Sequence, residues 1–325
     1  MEPTATSGLA AIASPACTLV IPALDEAESI EHVAALVRRV EASGGFDRVV
    51  LVDGGSSDDT VARARSHDIE VVSAASLGPP GPVLGKGDSV WRASDLPGDV
   101  LVFRDADVDG IDVEQLQALA MAACRPGIAL AKGRFERLQY DDGPARPTSG
   151  RITEFVARPL IGLLAPELAH LDEPLSGQFA IRRDVLRSIE VVTRYGVDVA
   201  LLLTVADVHG PDAITSVDIG ALRHRAKQDV SLIPMAHDVA ATILGLRTVE
   251  HDAVEGTGHP SNATSASRTA ASATGASATG ASADRGPTPG SDHSHVGSGR
   301  HLPCAGPQGL LVVRPPRGMA GTPTT

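Results

Sequence analysis

Apolar and polar positions alternate in two rhythms along this chain as far as Glu250. Short apolar runs at Cys17–Ile21, Val49–Val52, Val71–Ser73, Val100–Phe103 and Ile128–Lys132 read as strands buried on both faces. The stretches between them carry apolar residues at helical spacing. In Ala27–Glu41 these are Ile30, Val33, Ala34, Val37 and Val40, and Thr60–Arg65, Ser89–Ala93 and Val113–Cys124 follow the same period. Ser57 or Asp58 stands where a cap for the second helix belongs. Leu77–Gly87 is a Gly/Pro-rich loop. Beyond a flexible stretch, Gln139–Ser149, the pattern predicts a helix over Gly150–Leu164, a strand over Gln178–Ile181, a helix over Val197–Val208, a strand over Ile214–Ala221 and a last helix over Ser231–Val249. Strand–helix alternation of this kind predicts an α/β fold, Rossmann-like, with a mostly parallel sheet and helices on both faces.

Ligands of such sheets bind beyond the carboxyl ends of the strands. Three loops there carry polar chemistry. Asp105-Ala106-Asp107 follows the run Val100–Phe103 and sets two carboxylates within reach of one divalent cation, the arrangement that joins Mg²⁺ or Mn²⁺ to nucleotide phosphates. Pro22-Ala23-Leu24-Asp25-Glu26 ends the first strand and opens a helix, where free amides and Asp25 suit a base or ribose; a plain helix cap is the simpler account. Asp53–Thr60 ends the second strand. Its paired glycines allow close backbone approach and Ser56 suits a pyrimidine, while a tight turn with an Asp/Ser cap explains it equally well.

Further along, Lys86 lies between Gly85 and Gly87, a mobile and accessible cation suited to a pyrophosphate. His224, in Leu222-Arg223-His224-Arg225 after a predicted strand, is a candidate third ligand beside the carboxylates, with Arg225 as a further cation. The spacing of a P-loop is missing, and so is a G-x-G-x-x-G at the first turn, so a dinucleotide cofactor is not expected.

Composition changes the picture in two places. From His251 to Thr325 the chain is largely Ala, Ser, Thr, Gly and Pro, with only the brief apolar run Leu310–Val313, and is expected to be disordered; His251, His259, His293, His295 and His301 read as solvated side chains. A formal charge of -12 disfavours nucleic acid as a partner. No stretch is long and apolar enough to span a membrane, and Met1–Pro15 lacks the pattern of a signal peptide. Cys17, Cys124 and Cys304 have no paired spacing, which suits the cytoplasm. With aromatic residues at 2%, the core must be aliphatic.

Pro22–Glu26, VDGGSSDDT, GKGDSVWRAS, FRDADV, GRITEFVARPL, EPLSGQFAIRRDVL, YGVDVALLL and LRHR, in this order from about Thr18 to about Val249, resemble the glucosyl-3-phosphoglycerate synthases. The resemblance implies a GT-A fold and a retaining transfer of glucose from UDP-glucose to the 2-hydroxyl of 3-phosphoglycerate with Mg²⁺ or Mn²⁺. It also implies a tendency to form homodimers. It divides the chain into an extension over 1–16, a nucleotide-sugar half over 17–137, a smaller acceptor-binding half over 138–250 and the tail over 251–325.

Residue by residue, the resemblance implies that Pro22, Ala23, Leu24, Asp25, Glu26 and Ser56 hold uridine. Lys86 touches the diphosphate, Asp105 and Ala106 lie at the ribose and metal, and Asp107 and His224 ligate the cation. Gly150, Arg151 and Thr153 bind the acceptor's phosphate or carboxylate, Tyr195 and Asp198 line the acceptor and sugar, and Leu175–Gln178 floors the sugar. Asp105, Asp107, Lys86 and Asp198 are thereby the catalytic candidates. The family has Asn at 25, Glu at 27, Ser at 106 and Glu at 198; it has Arg at 222 and Asn at 226, and losing these two is expected to thin the acceptor side. A related transferase with another acceptor or donor sugar, such as mannose, and a non-catalytic sugar-nucleotide-binding paralogue are the alternatives. A nucleotidyltransferase fits poorly, because Pro22–Glu26 is acidic where that class has a glycine-rich basic loop.

Overall fold

The computed structural model describes residues 15–140, 146–225, 229–255 and 312–317. The first part alternates strictly: β1 (Cys17–Ala23), α1 (Ile30–Ser43), β2 (Arg48–Asp53), α2 (Thr60–Ser66), β3 (Val71–Ser73), α3 (Lys86–Ala93) and β4 (Val100–Phe103). A two-residue strand β5 (Val108–Asp109) and helix α4 (Val113–Ala123) follow. The remainder comprises β6 (Leu130–Tyr140), β7 (Arg146–Pro147), α5 (Arg158–Leu164), β8 (Phe179–Arg182), α6 (Arg183–Ser188), β9 (Val191–Val192), α7 (Val197–His209), β10 (Ile214–Arg225), α8 (Asp229–Glu255) and β11 (Val313–Arg314).

A nine-stranded sheet runs in the order β3-β2-β1-β4-β8-β6-β10-β5, with β7 on β6. Strands β3, β2, β1 and β4 are parallel, as are β6 and β10. Strand β8 runs against both β4 and β6 and stitches the two parallel groups together. The carboxyl ends of β1, β2 and β4 therefore share one edge, and the start of β8 lies at that edge too.

Each central strand is apolar on both sides because both faces of the sheet are covered. Val20, Val52, Leu101, Phe103 and Phe179 point to one side and pack beneath residues of α3, α5, α7 and α8. Leu19, Ile21, Leu51, Val102 and Ala180 point to the other and meet α1 and α4. Phe103 and Phe179 stack across β4 and β8 with ring centres 4.7 Å apart. Helix α1 buries Ile30, Val33, Ala34, Leu36, Val37 and Val40, and Gly44 ends it in the left-handed conformation. Helix α4 opens on a capping box between Asp112 and Gln115.

Four expectations are corrected. Lys86 is not in a mobile loop; it is the first residue of α3. Strands β6 and β10 run well past Lys132 and Ala221, so His224 lies within a strand and not after it. The predicted helix over Gly150–Leu164 is interrupted by a π-helical stretch, Thr153–Ala157. Residues 312–317, assigned to a disordered tail, instead form β11 and its flanks and pair with β9. The extension over 1–14, Cys304, Ala226, the side chain of Arg225 and the tail histidines lie outside the described residues and side chains.

Candidate active site

The site assembles where the two parallel groups of strands meet. Asp105 and Asp107 leave the end of β4 with alternate orientation, so Ala106 between them turns its methyl into the core. The fully buried guanidinium of Arg104 holds this turn from beneath, donating to the carbonyls of Ala106 and Val108. Burial pushes Arg104 down to about 10, still charged at neutral pH, beneath the carboxylates of Asp105 and Asp107. Nothing in the sequence pattern singled out this arginine; its place directly before the acidic triplet was the available signal.

Histidine 224 reaches the same place through β5. Its backbone pairs with Val108 in antiparallel register, one residue beyond Asp107. The imidazole stacks on Phe135 with centres 5.5 Å apart, and its Nδ1 lies 3.3 Å from the carbonyl of Leu222. A carbonyl only accepts, so that contact puts the proton on Nδ1 and leaves a lone pair on Nε2. Burial, reinforced by the nearby charge of Arg137 and opposed by Asp107, lowers His224 to about 4, so the ring is neutral at physiological pH. A neutral imidazole and a carboxylate suit Mg²⁺ or Mn²⁺. Among the described residues no group of three or more His, Cys, Asp or Glu side chains is disposed to hold an ion. Asp107 and His224, a carboxylate and a neutral nitrogen donor, both line the cleft.

Lysine 86 bridges two carboxylates. Its ammonium lies 2.9 Å from Asp105 and 3.0 Å from Asp198, and 5.8 Å over the ring of Tyr195. Although burial works against its charge, the two carboxylates outweigh burial and hold Lys86 well above the ordinary lysine range. Burial raises Asp198, against the pull of Lys86. One oxygen of Asp198, Oδ1, is buried without a hydrogen-bond partner. Glycine 177 lets Asp105 take its place, since a Cβ there would come within 2.0 Å of the carboxylate. Gln178 clasps Asp105 from both ends, accepting from its amide at 3.3 Å and donating to its carboxylate at 3.4 Å.

The far wall of the cleft comes from β6, the loop before the π-helical stretch, and α7. One cleft is lined by Lys86, Asp105, Asp107, Gly150, Arg151, Thr153, Tyr195, Asp198 and His224, all expected from the sequence, together with Leu175, Gly177 and Gln178 of the expected floor. Arg137 also lines it and had not been anticipated. It sits 5.0 Å over Phe135, reaches Glu173 at 3.6 Å, and its Nε is buried without a partner. Its alternate position on the extended β6 was the missed signal. Beneath the wall, the buried Lys132 donates to the carbonyls of Ser176 at 2.6 Å and Asp198 at 3.3 Å. Leu222, expected to mark a loss on the acceptor side, is fully buried in the core with residues of α4 and does not line the cleft.

Pro22, Ala23, Leu24, Asp25, Glu26, Ser56 and Ala106 do not line this cleft. Ala106 lies in the turn after β4, and the others belong to the neighbouring edge, where β1 and β2 end. There the two loops are laced together. Asp25, with φ of 55°, accepts from the amides of Ser57 at 2.7 Å and Asp58 at 3.3 Å, and its own amide donates to Ser56 Oγ at 2.9 Å. The start of α3 adjoins this edge, with Ser89 Oγ 3.7 Å from the Cβ position of Gly54.

A parallel α/β edge carrying an aspartate pair, a neutral histidine and a lysine between carboxylates defines the class: a sugar-nucleotide-dependent glycosyltransferase. No family model matches the chain. The chain is 37% identical to the glucosyl-3-phosphoglycerate synthase of Mycobacterium tuberculosis (strain CDC 1551 / Oshkosh) over 244 residues, covering 72% of this chain and 74% of that protein. It is also similar to the crystal structure of the Mycobacterium tuberculosis synthase in complex with Mn²⁺, UDP-glucose and phosphoglyceric acid, with a TM-score of 0.64 and 33% identity over 73% of this chain and 81% of that one. A second crystal structure of that synthase, with Mn²⁺, UDP and glucosyl-3-phosphoglycerate, matches with a TM-score of 0.64 and 34% identity over the same 73% and 81%. This chain belongs to the glucosyl-3-phosphoglycerate synthase family.

Proposed function

We propose that the chain transfers glucose from UDP-glucose to 3-phosphoglycerate, with retention at the anomeric carbon. The observation that carries this reading is the convergence of Asp105, Asp107, His224, Lys86 and Asp198 with Arg151 on one cleft, from segments distant in sequence. The chain's family and its likeness to structures holding UDP-glucose, phosphoglycerate and the glucosylated product support the substrates.

Asp107 and His224 would hold Mg²⁺ or Mn²⁺, which when bound supplies positive charge to the diphosphate. Lys86, kept as an ammonium by Asp105 and Asp198, adds a fixed charge where negative charge grows on the leaving group. Asp198 Oδ1, buried and unpartnered, is an acceptor for a sugar or acceptor hydroxyl and orients it. Arg151, Arg137 and the Gly150–Thr153 turn supply donors for an anionic acceptor, the planar fork of arginine matching phosphate or carboxylate. Pro22–Glu26 and Ser56 hold the uridine at the adjoining edge. The sheet thereby divides into a nucleotide-sugar half over 17–137 and an acceptor half over 138–250.

A cytoplasmic location accompanies this reading, supported by the free thiols of Cys17 and Cys124. No helix among the described residues is long and apolar enough to cross a membrane. Exposed Phe155, Leu163 and Ile233 support a homodimer.

The test is turnover of radiolabelled UDP-glucose over a panel of small acids with Mg²⁺ or Mn²⁺. UDP release matched by glucosylated 3-phosphoglycerate is expected. Efficient transfer to another acid but not to 3-phosphoglycerate would assign a different acceptor, and UDP-glucose binding without any transfer would make the chain a non-catalytic binder.

A further inference from the structure

Residues 312–317 return to the folded body and pack behind Lys86. Val313 and Arg314 pair with Val192 and Val191 of β9. The carbonyl of Val312 accepts from both the amide and the hydroxyl of Thr193, each at 3.0 Å. Thr193 in turn accepts from the amide of Asp88 in α3 at 3.0 Å. Gly87 presses so closely on the carbonyl of Val192 that a Cβ would come within 1.9 Å of it. Strand β9 is thus held between β11 and the first turn of α3.

Arg314 makes a second, direct link. Its Nε donates to Asp88 Oδ1 at 2.7 Å and its Nη2 to Oδ2 at 3.1 Å, a two-pronged bond to a carboxylate with no exposed surface. Trp91, on the same helix, donates to the carbonyl of Pro315 at 2.9 Å and lies under the guanidinium of Arg317 at 3.8 Å. Arg317 also pairs with Asp95.

The position of α3 depends on such contacts. It has eight residues, too few to hold its shape by propensity alone. Gly85 before it has φ of 122°, a conformation that glycine alone adopts readily, and it packs against the carbonyl of Thr193. Its first residue is Lys86, and the stretch after β9 leads directly to Tyr195 and Asp198. The segment therefore braces the elements that supply both partners of the Lys86–Asp198 ion pair.

We propose that residues 312–317 form a strap and that Arg314 is a positioning residue. Through Asp88 it fixes the first turn of α3, and so the place where the Lys86 ammonium meets the diphosphate. This rests on the reading of Lys86 given above. Arg314 itself does not line the cleft. Removing it leaves Asp88 Oδ2 bonded to Arg92 at 3.1 Å and to the amide of Leu84 at 2.9 Å but takes from Oδ1 the bond to Arg314, so the alanine variant is read beside Arg314→Lys, which keeps a cation next to that oxygen.

The test uses the full chain with Arg314→Ala and Arg314→Lys. The alanine variant is expected to raise the KM for UDP-glucose about tenfold, the loss of a charged hydrogen-bonded link, while the KM for 3-phosphoglycerate stays within about twofold. Amides over 84–89 should exchange with solvent about tenfold faster, with α1 and α4 unaltered. Lysine at 314 restores only part of the effect, because it lacks the fork. Unchanged UDP-glucose KM and unchanged exchange over 84–89 overturn the proposal, as does exchange that rises equally in α1 and α4, which would mark a general stabilising role. If the unaltered protein turns over no UDP-glucose, the functional reading fails; exchange over 84–89 and UDP affinity by calorimetry then decide the strap independently.

Discussion

The edge formed by β1 and β2 and the wall formed by β6, α7 and β10 solve opposite problems. At the first, polar groups satisfy one another: Asp25 serves Ser57 and Asp58, and Asp53 accepts from the amides of Gly55 and Ser56. At the second, two polar atoms are buried without a hydrogen-bond partner: Asp198 Oδ1 and Arg137 Nε. Such atoms cost stability unless something binds them. The difference teaches that the edge is shaped in advance by local bonds, whereas the wall keeps polar atoms that nothing within the folded chain satisfies.

The sharpest way to break this contrast is Asp107→Ala. Turnover with UDP-glucose and Mn²⁺ should fall on the order of 10²–10³-fold with thermal stability little changed. A fall in turnover of less than about threefold would remove the metal role from this carboxylate. Next in size is Arg151→Ala. Arg151 is exposed, so its loss should leave the fold intact and raise the KM for 3-phosphoglycerate about 10–100-fold, with that for UDP-glucose unmoved. Equal shifts in both would erase the division between edge and wall.

The third test is pH. Burial, aided by the nearby charge of Lys86, lowers Lys132 from the usual 10.5 to about 8. Between these values the unfolded chain holds a proton that the folded chain has released, so the contribution of this lysine to stability should rise with pH from about 8 to 10.5 and be flat below. Denaturation midpoints across this range should climb more steeply for the native chain than for Lys132→Met. The smallest effect belongs to the edge. Asp25→Asn keeps an oxygen for the Ser57 amide in a left-handed conformation that asparagine tolerates, so stability by urea titration should move by no more than about 0.5 kcal/mol. A larger loss would show that the carboxylate's charge, and not its shape, closes the loop.

What was legible in the chain follows the same division. The runs Leu19–Ile21, Val49–Val52 and Val100–Phe103 announce themselves because both sides of each strand meet a helix layer. The acidic triplet was legible because it follows such a run directly. Strands β6 and β10 were cut short because beyond Lys132 and Ala221 polar residues break the apolar run, among them Arg137, Gln139 and His224 in the cleft. Strands β5, β9 and β11 have two residues each and no periodicity to read; only tertiary pairing creates them. Lys86 looked like a loop residue because its flanking glycines are there for close packing against Val192 and Thr193 as much as for bending. Arg137 and Lys132 were not singled out, since charge in an alternating strand gives no hint of burial.

The reversal of β8 within the sheet has a consequence of its own. Because it runs against β4, Gln178 begins one strand where Asp105 leaves the other, and backbone ladders rather than a swinging flap secure that meeting. Occupancy should therefore demand little rearrangement there, so the heat-capacity change on nucleotide binding ought to track the apolar area covered and carry no added share from refolding of the floor.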